Sequence, residues 1–220
     1  MNIVLLGSPA SGKGTQAELL CQKFGLYHLS TGDVARMLAK TDGRIRDLIN
    51  TGKLIPAEEM SMYVVDFLKN KRPDLKNILF EGFPRYISQY EALDNFLRSK
   101  GDDIDAVISL EVPMEIAIKR ISSRWWCGKC SLPYNTITNP PKSLGVCDKC
   151  GGELTQRDDD KPDAIKTRFD YYTANTKELI DYVDKKGLLT RVNGDRAIEE
   201  ISRDLQEIIQ NIKNEEGHSE

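Results

Sequence analysis

Histidine is nearly missing from this sequence. There are two, and one of them, His218, lies in the polar stretch 214–220 at the C-terminus. A histidine triad or a histidine-built metal cluster is therefore excluded, and His28, beside a short apolar run, reads as a packed, hydrogen-bonded side chain. Long apolar runs are missing too: none approaches the length needed to span a bilayer, so no membrane association is expected. The chain enters a strand at once, without a signal-peptide pattern, which makes the cytoplasm the expected location. A broad basic field is likewise absent. The formal net charge of −3 argues against a general nucleic-acid binder. No internal repeat is found, and the polar tail 214–220 is expected to be frayed. What remains, 40% hydrophobic and 30% charged in 220 residues, suits one globular domain with room for insertions.

Cysteine is scarce but clustered. Four of the five form two C-x2-C pairs, Cys127/Cys130 and Cys147/Cys150, with Gly128, Gly145, Gly151 and Gly152 supplying tight turns around them. In a chain without secretion signals this spacing reads as a tetrahedral Zn²⁺ site, ahead of an iron centre or two disulfides. Four thiolates close the coordination shell, so the expected role is structural. Cys21 falls in a helical pattern and reads as a small buried hydrophobe.

The most informative segment is Gly7-Ser-Pro-Ala-Ser-Gly-Lys-Gly-Thr15, which follows the apolar run Ile3–Leu6. Strand, glycine-rich turn and helix in that order form the context of a phosphate-cradling loop. Small residues let backbone N–H groups converge on phosphate oxygens, and the helix N-terminus adds partial positive charge. Lys13 supplies a full charge near the β- and γ-phosphates, and the Thr15 hydroxyl can meet phosphate or hydrated Mg²⁺.

Short apolar runs at 3–6, 27–29, 78–80, 106–110 and 188–192 alternate with helical patterns at 13–24, 33–40, 45–51, 57–69, 88–98, 113–122, 162–186 and 196–213. This alternation predicts an α/β fold, a five-stranded parallel sheet with helices on both faces. Ligands of such sheets bind beyond the carboxyl ends of the strands. Residues 30–60 interrupt the alternation with short helices, and 123–160 interrupt it with the cysteine module, giving two flaps over the binding edge. Arg36, Arg85, Arg120, Arg124, Arg157 and Arg168 stand at element ends, where they could clamp phosphates. Arg120 and Arg124, four apart, are expected on one face of the helix that enters the cysteine module. Phosphoryl transfer needs charge neutralisation and positioning more than acid–base groups.

The loop Gly7–Thr15 together with Ser30-Thr31-Gly32-Asp33, Gly82-Phe83-Pro84-Arg85 and Arg157-Asp158-Asp159 resembles the adenylate kinases, in the long form whose lid carries zinc. The resemblance extends from Met1 to about Lys213. It implies a P-loop nucleoside-kinase fold with a core of residues 1–29, 61–122 and 161–220, an NMP-binding flap at 30–60 and a zinc-held lid at 123–160. ATP and AMP are the implied partners, with Mg²⁺ accompanying ATP and a monomer as the working unit. ATP would then lie on Gly7, Ala10, Ser11, Gly12, Lys13, Gly14 and Thr15, with Arg120 and Arg124 reaching its phosphates. AMP would meet Thr31, Gly32, Arg36, Lys53, Ile55, Gly82, Arg85 and Gln89, and Arg157 and Arg168 would straddle the transferred group. Two positions depart from the family pattern. Ala10 stands where Gly is usual, and Glu81 where Asp is usual; that carboxylate is expected to hold Mg²⁺ through water. The Trp125-Trp126 pair is also unusual and is expected to pack against the lid rather than stack on a base.

Other readings are a sibling kinase acting on UMP, CMP or GMP, a zinc-module nucleic-acid-binding protein, and a nucleotide-binding scaffold without catalysis. The acidic balance opposes the second. The intact set of Lys13 and the arginines opposes the third.

Overall fold

The computed structural model describes residues 1–72 and 74–216, with the side chains of Glu215 and Glu216 excepted. Five strands, β1 (Asn2–Gly7), β2 (Tyr27–Ser30), β3 (Ile78–Glu81), β4 (Ala106–Glu111) and β8 (Leu189–Asn193), form one parallel sheet in the order β2-β3-β1-β4-β8. The central strand β1 is buried along its whole length. Strand periodicity then divides its side chains between two cores. Ile3 and Leu5 pack with Ala17 and Leu20 of α1 (Lys13–Phe24) and with Ile201, Leu205 and Ile209 of α9 (Ile198–Glu216). Val4 and Leu6 face the other way, toward Val64 and Leu68 of α4 (Ala57–Lys71), Leu93 of α5 (Ile87–Arg98) and Leu179 of α8 (Lys177–Lys185).

The expected strands and most helices are present with ends moved by one to three residues, as hydrophobic patterning allows. Two details go beyond what the patterning predicts. The run expected as one helix over 162–186 is helical without a break from Pro162 to Lys185, with α7 (Pro162–Tyr171) and α8 joined by a wide π-helical turn at Tyr172–Thr176. Such single wide turns carry no distinct sequence pattern. The final helix continues to Glu216, three residues past the expected end, so the start of the tail expected to fray is helical; residues 217–220, with His218, lie outside the described residues.

Between β2 and α4 run two short helices, α2 (Thr31–Leu38) and α3 (Gly43–Asn50). The Ser30 hydroxyl caps α2 by accepting from the Asp33 N–H, and the Asp42 carboxylate caps α3 by accepting from the N–H groups of Arg44 and Ile45. After α6 (Met114–Ser122) comes a small antiparallel sheet in the order β6-β5-β7, built from β5 (Arg124–Cys127), β6 (Pro133–Asn135) and β7 (Leu154–Thr155). These strands are too short to register as periodicity. Their presence also corrects the reading of Arg120 and Arg124 as partners on one helix face: α6 stops at Ser122, and Arg124 opens β5.

Candidate active site

The loop after β1 turns on Gly7 (φ 145°), where a Cβ would lie 2.6 Å from the Leu110 carbonyl oxygen, so no side chain fits. Gly12 (φ 99°) then caps α1. Ala10, at the position where the resemblance makes glycine usual, takes the left-handed region at φ 58°, a conformation that costs alanine about 1–2 kcal/mol. The first turn of α1 carries no acidic residue, leaving its amide dipoles unopposed. Lys13 folds back onto the loop and donates from Nζ to the carbonyls of Gly7 (2.9 Å) and Ser8 (2.7 Å). Burial lowers its pKa to about 7; Glu81 opposes the shift, and Arg85, Arg168 and Arg124 add to it.

A cavity of about 820 Å³ opens over this loop at the carboxyl edge of the sheet. Its wall includes Gly7, Ala10, Ser11, Gly12, Lys13, Gly14 and Thr15. Arg36, Glu81, Gly82, Arg85, Arg120, Arg124, Arg157 and Arg168 share that wall. The convergence spans α2, the end of β3, the end of α6, β5, the segment after β7 and α7, elements far apart in sequence. Thr31, Gly32, Lys53, Ile55 and Gln89 are not on the wall. Thr31 donates its hydroxyl to the Gly82 carbonyl at 2.7 Å. Gly32 lies against the Arg36 guanidinium. Gln89 is buried, accepting from the Arg85 N–H at 2.8 Å and donating to the Ala57 carbonyl at 3.0 Å. Lys53 is exposed and Ile55 is in the core, and Leu54 between them faces the cavity.

All but one of the arginines are held by a local acceptor. Arg85 donates from Nε to the Gly82 carbonyl at 2.8 Å, and Arg120 donates to the Gly194 carbonyl at 2.8 Å. Arg36 pairs with Asp33. The fully buried carboxylate of Asp160 takes two arginines: Arg124 from Nε at 2.8 Å and Arg168 at 3.0 Å, with Arg168 also on Asp159 at 2.9 Å. Asp160, which holds two of the cavity arginines, was missed by sequence reasoning. It was visible only as one of three consecutive aspartates, which by itself reads as a solvated run. Arg157 differs: its guanidinium lies 3.5 Å over the Trp126 ring. Trp125 packs in the cysteine module as expected, whereas Trp126 lines the cavity.

Glu81 sits at the end of β3 with its Oε2 3.6 Å from His28 Nε2. Burial would raise its carboxyl, but the His28 ring and the Lys13 ammonium outweigh it and hold the group at about 2. It is therefore anionic at neutral pH, facing the loop, which suits a carboxylate that holds a hydrated divalent cation.

The Sγ atoms of Cys127, Cys130, Cys147 and Cys150 all lie within 4.8 Å of one another, with Cys127–Cys150 at 3.4 Å and Cys130–Cys147 at 3.5 Å. A tetrahedral ion about 2.3 Å from each sulfur sets sulfurs about 3.8 Å apart, so the four can hold one metal ion. The Tyr134 hydroxyl donates to Cys147 Sγ and lowers that thiol toward the thiolate a metal requires. Gly152 suits the tight approach here, because a Cβ would lie 2.9 Å from Lys129 Cβ and 3.0 Å from Cys127 Sγ.

A phosphate loop at the first β–α turn of a parallel sheet, faced by arginines from several elements, defines a P-loop nucleotide phosphotransferase. A family model described as adenylate kinase matches residues 5–188. The chain is 42% identical to an adenylate kinase of Archaeoglobus fulgidus over 97% of this chain and 100% of that one. It is 42% identical to one from Caldicellulosiruptor bescii over 93% and 97% of the two chains, and 39% identical to one from Listeria monocytogenes over 95% and 99%. The chain belongs to the adenylate kinase family and is a nucleoside monophosphate kinase.

Proposed function

We propose that this chain transfers the γ-phosphoryl group of ATP reversibly to AMP, giving two ADP by direct in-line displacement. An oxygen of the AMP phosphate attacks the γ-phosphorus as the bond to the β-bridging oxygen breaks, and the departing ADP keeps that electron pair. The observation that carries this reading is the convergence of Lys13, Arg36, Arg85, Arg120, Arg124, Arg157 and Arg168 on one cavity. An anionic acceptor needs no general base, so a site built of cations suffices. The loop amides and Lys13 hold the β- and γ-phosphates, with Arg120 and Arg124 closing over them. Arg36 and Arg85 receive the AMP phosphate, supported by Thr31, Gly32 and Gly82, while the segment Lys53–Ile55 and Gln89 flank the base. Arg157 and Arg168 neutralise the group in transit.

The division into a core (1–29, 61–122, 161–220), an NMP flap (30–60) and a lid (123–160) belongs to the same reading, with the lid excluding water during transfer. Lid closure over substrate is a general property of adenylate kinases, and the motion is carried to this chain by analogy with them. Glu81 would hold Mg²⁺ through water, and that ion supplies further neutralisation of the β- and γ-phosphates. The four cysteines would hold Zn²⁺ as a structural crosslink of a lid with little core of its own. We assign the protein to the cytoplasm as a monomer.

The test is a coupled assay with Mg·ATP against AMP, UMP, CMP and GMP in parallel. Rapid ADP formation with AMP alone supports the reading. Preference for another monophosphate keeps the mechanism and changes the substrate. Silence on all four, with ATP still bound, overturns catalysis.

A further inference from the structure

The Trp125-Trp126 pair begins as neighbours in sequence and ends on opposite sides of the lid sheet. Side chains alternate along β5. Trp125 and Cys127 accordingly pack in the cysteine module, and Arg124 and Trp126 face the cavity. Antiparallel pairing sets Trp126 opposite Thr155 of β7, and Arg157 follows two residues later. The result is the Arg157 guanidinium 3.5 Å over the Trp126 ring.

This contact is unlike the others in the cluster. Arg124 and Arg168 are committed to Asp160, and Arg36 to Asp33. Among the described residues the Arg157 guanidinium makes no hydrogen bond or ion pair. An aromatic face attracts a cation without occupying its N–H donors. A carboxylate would occupy them and would have to be displaced by an incoming phosphate. Burial, with Arg36 and Arg124 nearby, disfavours the Arg157 charge, and the ring offsets part of that cost. The Trp126 Nε1 atom is also buried with no acceptor among the described residues, as befits a side chain that meets a ligand.

We propose that Trp126 is a positioning residue for the phosphoryl-transfer step, its ring face holding Arg157 over the cavity with every guanidinium donor free for nucleotide phosphate. The inference rests on the role assigned to Arg157 above.

The experiment is a double-mutant cycle on the full chain, measuring kcat and both KM values, with thermal unfolding as the check on folding. Trp126→Met removes the ring face but keeps apolar bulk. It is expected to lower kcat about ten- to thirtyfold, the scale of a partly to fully desolvated cation–π contact, with KM for ATP and AMP changed less than about threefold. Trp126→Phe keeps a ring and should stay within about threefold of the parent. In an Arg157→Ala background, Trp126→Met should cost nothing further. An equal loss in that background, or a Phe variant as slow as Met, would overturn the proposal by showing that Trp126 acts without Arg157 or without its ring. An unsubstituted enzyme that fails to phosphorylate AMP overturns the reaction itself. One that succeeds, with Trp126→Met at full rate, overturns only the role of Trp126.

Discussion

Arg124 forks onto the Asp160 carboxylate, with Nε 2.8 Å from Oδ2 and a terminal nitrogen on Oδ1. Arg168 shares the same carboxylate at 3.0 Å, so one buried anion restrains two cations that face a common cavity. The carboxylate thus holds the two guanidiniums side by side, and Asp159 adds a second hold on Arg168.

Removing that anion should therefore cost more than a surface ion pair would. Asp160→Asn is expected to destabilise the nucleotide-free protein by about 3 kcal/mol, because it leaves buried positive charge uncompensated. Urea unfolding checks this, and added inorganic phosphate should restore part of the loss. An unchanged midpoint would show that the two arginines do not depend on the Asp160 charge.

Lys13 makes nucleotide binding pH-dependent. In the free protein burial holds its pKa at about 7, and a bound polyphosphate raises it again. At about pH 8 binding should take up close to one proton, and affinity should weaken as pH rises beyond about 7. Calorimetry in two buffers of different ionisation enthalpy measures the uptake, which Lys13→Met should abolish. For stability the sign is opposite. Between about 7 and the ordinary lysine value of 10.5 the unfolded chain binds the extra proton, so this residue's contribution to the free protein's stability rises with pH.

Gly52 brings the α3–α4 connection against α7. Its φ is 73°, and a Cβ there would lie 2.3 Å from the Ala164 carbonyl oxygen. Gly52→Ala combines left-handed strain of about 1–2 kcal/mol with a backbone clash. The expected outcome is displacement of α2 and α3 from α7 and a KM for AMP raised about 5- to 30-fold, since about 1.4 kcal/mol is tenfold. Steady-state kinetics with AMP varied at saturating ATP would reveal it. A KM within about twofold of the parent would mean that this approach does not matter for the acceptor.

Metal removal should uncouple folding from chemistry. The cysteine cluster is the centre of a small core of Cys127, Tyr134, Cys147 and Leu154, too little to stand alone. Chelation, or Cys147→Ser, is expected to lower the thermal midpoint while phosphoryl transfer persists at low temperature. Loss of transfer in protein that remains folded in the cold would assign the ion a role in the reaction.

What could be read before any fold was known is what local chemistry encodes. The phosphate loop needs Gly7, Gly12 and Lys13 within one strand–turn–helix, so its signature is contiguous. The sheet was legible because β1 and β3 are buried on both faces and read as unbroken apolar runs, with β4 interrupted by the buried Ser109 alone. The four-cysteine cluster, which can hold a metal ion, was legible because two C-x2-C turns carry their own spacing. Tertiary structure alone decided the rest. Arg36, Arg85, Arg124, Arg157 and Arg168 converge because the elements bearing them meet at one sheet edge, a relation that no sequence interval records. Asp160 becomes the anchor of Arg124 and Arg168 only when the turn before α7 meets the first residue of β5. The two adjacent tryptophans part only because a strand too short to predict places successive side chains on opposite faces. Local backbone geometry leaves a pattern in sequence, whereas the pairing of a buried charge or ring depends on which distant segments share a surface.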